Sequence, residues 1–514
     1  KNISKLIFFS FLILYLGVGY YFTQILKIYH NDAIARTALA FFTIFGRDPH
    51  LAAIGFVWQP FLSLVEIPLI LLLRPYGLMM MAGPSITAIF GALSAMLIYK
   101  IGLLINPNSR LTSLIISLLF GINPLVLLYS SIGTSEAIFL FSLIISSYFL
   151  VRWFYKMNQL NLIQAGFFMS FSFWSRYESV PAMIAFILLL VIQLIFKRVG
   201  YKKMESTLIL FVLPFAFSSG LWIMLNWIIM KNPFYFLNSE YSNSAFTTII
   251  KNNPQAIENS YHSLVGSLLY IIKRSILLAP IIVISPFILL PLLVNIKKKT
   301  EDFILYLFLM LPYFFILLFH MYELFQGQSF GWLRFYIYIL VAGSFTAIIA
   351  VYKQRYLIVL SILLLFLGIV TTGYAMNRPD FGKEESSFVK KTLDSSASLD
   401  YSRTYEDQKA VSSFMDSLSG MIMVDTDKGF AIPLFSKDPE RYIITSDIDY
   451  EEVVKNYPLY ADWIIVNKLN SDDLVSNKIY KYYTNIWDSI APSIILYNQI
   501  ADWRIFKVTN KYAN

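Results

Sequence analysis

Apolar segments long enough to cross a hydrocarbon core of about 30 Å, which takes roughly 20 helical residues, recur along the first 373 residues of this chain. They fall near 6–24, 79–99, 111–130, 134–151, 160–175, 180–196, 207–230, 276–295, 303–319, 335–351 and 356–373, which predicts eleven transmembrane helices. Only 14% of the 514 side chains are charged, against about 25% in soluble proteins. A water-soluble globule is excluded.

Residues 1–373 carry 25 Lys plus Arg and 11 Asp plus Glu, whereas residues 374–514 carry 16 and 21. The positive charge therefore belongs to the membrane part, where interleaved apolar runs leave no continuous basic groove for nucleic acid. The chain has no cysteine, so thiolate nucleophiles, cysteine-bound metals, lipidated cysteines and disulfides are impossible. The first span has the charge pattern of a signal peptide but no A-x-A-like cleavage site follows it, so a retained anchor is expected.

With the amino terminus in the cytoplasm, fifteen basic residues fall in short cytoplasmic loops, among them Lys197, Arg198, Lys202, Lys203 and Lys297 to Lys299. The other ten are spread thinly over longer outer loops, as the positive-inside rule prefers. Residues 57–73 are apolar but contain Pro60, Glu66 and Pro68. A crossing there would invert every later loop, so this segment is expected to be interfacial or re-entrant, inside a first outer loop of residues 25–78. Eleven crossings then leave residues 374–514 outside. Short β-rich runs at 421–426, 441–446, 463–468 and 503–508, separated by polar helix-like stretches, predict an extracytoplasmic α/β domain over 401–514. Residues 374–400 are its expected linker.

Eight carboxylates of the membrane part, Asp32, Asp48, Glu66, Glu136, Glu178, Glu240, Glu258 and Glu323, fall at or near the outer face in this topology. A carboxylate beside hydrocarbon needs a partner or a function. Asp32 opens an amphipathic segment, where Asn31 or Asp32 also suits a helix cap. Glu136 starts the fourth span, where it favours the helix dipole behind a Thr134 or Ser135 cap. Glu178 lies two residues from Arg176 and suits a structural ion pair with it. Arg176 and Arg334, at the outer ends of spans, suit either snorkelling or bidentate phosphate binding. Lys273 and Arg274 form another outer basic pair, fitted to anchor on headgroups. The four histidines, His30, His50, His262 and His320, show no metal-binding spacing. Gly-rich phosphate loops and serine nucleophile elbows are absent.

The order of these features resembles the GT-C glycosyltransferases, and within them the protein mannosyltransferase and lipid A aminoarabinose transferase group. The resemblance rests on an acid after the first span, a long first outer loop, the patch GFVWQPF (55–61), the span SITAIFGALSAMLIYKIGLL and the segment NPLVLLYSSIGTSEAIF. It covers about the first 200 residues by pattern and the membrane part by topology. Ala33, where a second acid is common, and Gln59 beside Pro60 depart from the family pattern. No WWDYG-type motif is present, which disfavours en bloc glycan transfer.

The resemblance implies transfer of one sugar from a polyprenyl-phosphate donor to an acceptor hydroxyl of a lipid, cell-surface glycan or protein, at the outer face of the plasma membrane. Asp32 matches the family's catalytic aspartate, and Glu136 its second acid. Arg176, Arg334, Lys273 and Arg274 are then the expected donor-phosphate ligands. Trp58, Tyr177, Trp332, His50 and Glu178 are expected substrate contacts, although the aromatic residues also suit interfacial belts. No cofactor is required by this reading, and a divalent Mg or Mn ion bridging Asp32 and the phosphate is compatible with it. Donor, membrane lipids and a surface acceptor are the expected partners. The main rival is a secondary transporter or flippase, whose charges would converge near the bilayer midplane.

Overall fold

The computed structural model describes residues 2–239, 241–242, 257, 260–294, 296–353, 357–397, 404–468, 477–488 and 493–509, with the side chains at 289, 291–300 and 353 excepted. Glu240, Lys251, Glu258 and Arg355 lie outside the described residues. The principal helices are α1 (Asn2–Tyr20), α2 (Asn31–Phe45), α3 (Phe61–Leu73), α4 (Ala82–Ile105), α5 (Arg110–Gly121), α6 (Pro124–Tyr129), α7 (Glu136–Lys156), α8 (Gln159–Phe173), α9 (Ser179–Phe196), α10 (Tyr201–Met230), α11 (Leu264–Leu278), α12 (Ser285–Val294), α13 (Ile296–Gln326), α14 (Ile339–Lys353), α15 (Leu357–Asn377), α16 (Lys383–Leu393) and α17 (Glu406–Met415). They divide between two compact units. The first comprises residues 1–27, 83–233 and 246–402, and the second residues 28–82, 234–245 and 403–514.

The first unit is a polytopic helical bundle. Among the described residues, eight helices are long and apolar enough to cross a membrane, or nine if the pair Leu264–Leu278 and Pro280–Ile288, bent by 109°, forms one span. Three of the eleven expected crossings therefore differ from expectation. The segment 111–130 is split, because Asn123 caps a new helix through the Leu125 amide and Pro124 occupies its first turn. The segment 160–175 forms α8, whose 15 residues fall short of the roughly 20 that a full crossing takes. The segment 276–295 bends where Pro280 interrupts the helical ladder. α3, with 13 residues, is likewise too short to span.

α7 is buried on nearly every side and forms the centre of this unit. α8 packs between α7 and α10, and Gly166 permits the approach: a Cβ there would overlap the Phe211 carbonyl oxygen. Such small residues set helix separation where lipid supplies no hydrophobic drive. α9 and α13 run antiparallel. At one end His320 Nε2 lies 3.9 Å from Glu178 Oε1, and at the other Lys197 pairs with Glu301 at 2.8 Å. The 18 residues of α9 rise about 27 Å at 1.5 Å each, close to one hydrocarbon thickness.

The second unit is built on a small, open, five-stranded sheet. Its strands are β1 (Ile422–Val424), β2 (Tyr442–Ile443), β3 (Trp463–Asn467), β4 (Ile494–Ile500) and β5 (Trp503–Val508), in the order β2-β1-β3-β5-β4. β1 is parallel to β2 and β3, while β5 is antiparallel to β3 and β4. The four anticipated runs all contain strands. β4 was not anticipated, because Asn498 and Gln499 dilute its apolar pattern and its exposed residues face away from either core.

Alternation along the strands creates two cores. Met423, Ile464, Phe506 and Val508 face one side with Tyr450 and Val453. Ile422, Val424, Trp463, Ile465 and Ile505 face the other, in a core shared with Ile34, Ala38, Phe41 and Phe42 of α2. These four recur at helical spacing, giving α2 one apolar stripe. The first long loop is thus folded with the carboxyl-terminal sheet.

Gly166→Ala is expected to lower the thermal midpoint of the detergent-solubilised protein, with about 1–3 kcal/mol lost to overpacking. Gly220→Ala, on the α10 helix that carries Phe211 but with open space at its Cβ, is expected to be neutral or slightly stabilising. Equal effects would contradict the packing.

Candidate functional site

One end of the first unit gathers charge. Arg176, in the turn between α8 and α9, donates from Nη1 to Glu136 Oε1 at 2.5 Å and from Nη2 to Glu178 Oε1 at 2.6 Å. The Glu178 bond is doubled from Nε at 2.9 Å. Arg334, just before α14, sits 3.9 Å from Glu136 Oε1 and 3.2 Å from Glu384 Oε2. Glu385 accepts a 2.6 Å bond from the Tyr129 hydroxyl, and His320 Nδ1 meets Glu323 Oε2 at 2.9 Å. This end lies opposite the Lys197–Glu301 pair.

The sequence brings most of these groups together by placing them at or beside helix termini, with His320 further inside α13. Glu136 opens α7, where the positive end of the dipole favours it. Ser135, expected to cap α7, makes no cap bond; its hydroxyl instead lies 3.5 Å from Arg176 Nη1. Arg334 is only 4% exposed, so it does not snorkel. Its guanidinium stacks on Trp332 at 4.6 Å and Phe335 at 5.4 Å.

Burial and charge set the proton affinities. Burial pulls the Glu178 carboxyl upward, but Arg176, His320 and a backbone bond outweigh it and hold the group below the usual carboxylate range. Burial works against the Arg176 cation, which Glu178 and Glu136 more than restore, so its proton is held more tightly than usual. Burial, with Glu384 beside it, pushes Glu385 up to about 7, although Tyr129 and Arg334 counteract. The network therefore contains ion-paired carboxylates and one carboxyl that burial makes easier to protonate.

Of the expected site residues, Glu136, Arg176, Glu178 and Arg334 are in direct electrostatic contact. Tyr177 turns its hydroxyl to the Trp222 indole, 3.1 Å away. Arg274 is buried and stacked on the Tyr270 ring at 3.3 Å, and Tyr270 leads through Tyr336 to the His320 ring. A headgroup-anchoring role for Arg274 is thereby replaced by an interior one. Lys273 is exposed, with its ammonium 5.0 Å over Phe381.

Asp32, His50 and Trp58 belong to the second unit. His30, rather than Asn31 or Asp32, caps α2: its Nδ1 accepts from the Asp32 amide at 3.2 Å. The Asp32 carboxylate, half-buried in the first turn, is not the capping group. Arg36, one turn further on, donates to the Gln59 carbonyl at 2.9 Å and stacks on Trp58 at 5.0 Å. His50 Nδ1 turns to the Asp48 carbonyl at 2.7 Å. Behind Arg36, Glu66 is fully buried in α3, and burial raises its carboxyl to about 8 despite Thr37 and Arg36.

Glu384 and Glu385 were missed because residues 374–400 read as a linker, yet Lys383–Leu393 is a helix with Glu385, Ser386, Ser387 and Phe388 buried. Two acids in its first turn and two lysines in its last were the available signal. His320 and Glu323 carried an i, i+3 spacing on one helix face. Among the described residues, no group of three or more His, Asp and Glu side chains is arranged to hold a metal ion.

Fold and site together define a polytopic α-helical membrane protein with a buried charge network at one end of its bundle and a separate multi-strand unit. That architecture is consistent at a coarse level with a GT-C-like polytopic fold. No family model and no curated protein sequence matches the chain, so no relative supports the particular family.

Arg176→Ala would remove the nearest counter-charge of buried Glu136 and Glu178 and is expected to cost about 3–5 kcal/mol of stability. Arg176→Lys should not restore it, since a single ammonium cannot reproduce the planar bridge between two carboxylates. Thermal unfolding in detergent checks both, and a wild-type midpoint for the alanine variant would contradict the network. Glu66 supplies a pH signature. Its folded carboxyl at about 8 lies above the ordinary 4.5, so the stability it permits at low pH is lost as pH rises through that window. Glu66→Gln should match wild type near pH 4.5, gain progressively toward pH 8 and level off above. A constant difference across the window would contradict this.

Proposed function

We propose that the chain is a membrane glycosyltransferase that moves a single sugar from a polyprenyl-phosphate donor to an acceptor hydroxyl at the outer face of the plasma membrane. The carrying observation is the Glu136–Arg176–Glu178–Arg334 network at the bundle end opposite the Lys197–Glu301 pair. The loops near Lys197 are Lys- and Arg-rich, so the positive-inside rule puts that end in the cytoplasm and the network outside. In this reading the second unit is an extracytoplasmic α/β domain.

Asp32 takes the proton of the acceptor hydroxyl as its oxygen attacks the anomeric carbon. The bond from that carbon to the carrier phosphate breaks, its electron pair leaves on the phosphate oxygen, and the anomeric centre inverts. The departing oxygen is weakly basic, so one carboxylate suffices and no strong general acid is needed. Arg176 and Arg334, whose arrangement is already fixed by their carboxylates, are the donor-phosphate ligands of this reading, so little reorganisation is required as negative charge develops. Those carboxylates also weaken the field, which suits a singly charged phosphodiester. Glu136 orients the arginines, Arg274 reinforces the positive side, and Trp58 and Trp332 offer faces to sugar or prenyl groups. The chemistry is written without a metal, and a divalent cation beside the phosphate is compatible with it.

A second reading, a secondary transporter or flippase, draws on the 109° bend between Leu264–Leu278 and Pro280–Ile288, a broken helix of the kind that lines transport sites. It expects substrate flux across sealed vesicles without covalent transfer.

In cells lacking the chain, mass spectrometry of extracted lipids should show an accumulated sugar-linked polyprenyl phosphate that the wild-type protein clears. Asp32→Asn should express normally and clear it about 10²–10⁴-fold more slowly, the usual contribution of a general base. Full clearance by that variant would overturn the assignment of Asp32.

A further inference from the structure

The helix that carries Asp32 is fixed at both ends by the carboxyl-terminal part of the chain. At its start, Asn31 Oδ1 accepts a 2.8 Å bond from the Tyr405 hydroxyl, across 374 residues of sequence. Just past its end, Arg47 donates from Nε to Asp447 at 2.9 Å and also pairs with Asp449, while Asp48 accepts from the Ile448 amide at 3.1 Å. Between these ties, Ile34, Ala38, Phe41 and Phe42 share the core on the sheet face. Three kinds of contact thus act on a helix of 15 residues.

Tyr405 is the unusual member. Its backbone has φ 55°, in the left-handed region, where a bulky side chain is rare. Such strain persists only where the surroundings over-determine it, and it concentrates at functional positions. Here the ring is buried, packed between Tyr29 at 6.5 Å and Phe430 at 5.7 Å between ring centroids. That packing delivers the hydroxyl to Asn31, the residue immediately before Asp32. Local helix preference alone would not need a tyrosine there, because the α2 cap is already supplied by His30.

We propose that Tyr405 is a positioning residue for Asp32, and that the carboxyl-terminal sheet serves as the platform on which the first turn of α2 is set. The assignment rests on the reading of Asp32 as the base. The Arg47 tie fixes the far end of the helix, so a movement at Asn31 pivots Asp32 rather than displacing the whole element. Placement errors of about 1 Å in catalytic groups can cost 10²-fold in rate, which makes a platform worth its strained residue.

The test uses the full-length protein with Tyr405→Phe, Asn31→Ala and the double substitution. Amide hydrogen exchange at Ala33–Arg36 should quicken about tenfold in each, as expected for one lost hydrogen bond, with no further increase in the double variant. Exchange at Ile422–Val424 should quicken by no more than that factor, and the thermal midpoint should fall by only about 2–6 °C. In cells, Tyr405→Phe should slow clearance of the sugar-linked carrier, and it should add nothing to the defect of Asp32→Asn. Unchanged exchange at Ala33–Arg36 overturns the clamp. Faster exchange with wild-type clearance, while Asp32→Asn remains defective, overturns the positioning role alone. Wild-type clearance by Asp32→Asn overturns the base reading, and with it the role of Tyr405 in catalysis, whatever the exchange shows.

Discussion

Arg176 holds two carboxylates from two helices in a site that is largely closed to solvent, and Arg334 continues the chain of charge to Glu384. Ions this close to hydrocarbon are expensive, and removing Arg176 takes the nearest counter-charge from two buried carboxylates. The interaction therefore ties together the starts of α7, α9 and α14 and the segment after α15, all at one bundle end. Helices of the first unit gain little from hydrophobic association within lipid. Close contacts such as Gly166 on Phe211 and this network supply the specificity instead.

The same reasoning explains what sequence could and could not disclose. Long spans were legible because hydrophobic length is a local property. Interrupted ones were not, since the Asn123-Pro124 and Pro280 breaks depend on which competing backbone arrangement the neighbours satisfy. The Arg176–Glu178 pair is two residues apart and could be anticipated. Its extension to Glu136, forty residues away, is a tertiary contact. Glu384 and Glu385 looked like part of a solvated linker, because composition does not say which face of a short polar helix becomes buried. In the carboxyl-terminal region, alternating strands announced themselves, whereas the solvent-exposed edge strand Ile494–Ile500 did not.

A deeper limit on reading sequence is the pairing of distant segments. The first loop and the sheet were expected as separate features, one on each side of the membrane bundle in sequence. They share a core because α2 presents an apolar stripe and the sheet presents a matching face. Neither pattern names its partner. Ion pairs at Arg47 and the Tyr405–Asn31 bond add direction to this non-directional burial. Buried Glu66 and Asp425, both pushed well above the ordinary carboxyl range by desolvation, to about 8 and about 7, show that the unit tolerates groups that stability alone would remove.

The account depends on which side of the membrane bears the network. Because the chain has no cysteine, single cysteines report sidedness without background. Asp380→Cys lies at an exposed position between α15 and α16, close to Glu384 in sequence, and Tyr201→Cys lies at the exposed start of α10, just beyond Lys197. A membrane-impermeant thiol reagent should label the first in intact cells and the second only after permeabilisation. The reverse pattern would put the network in the cytoplasm and contradict transfer at the outer face.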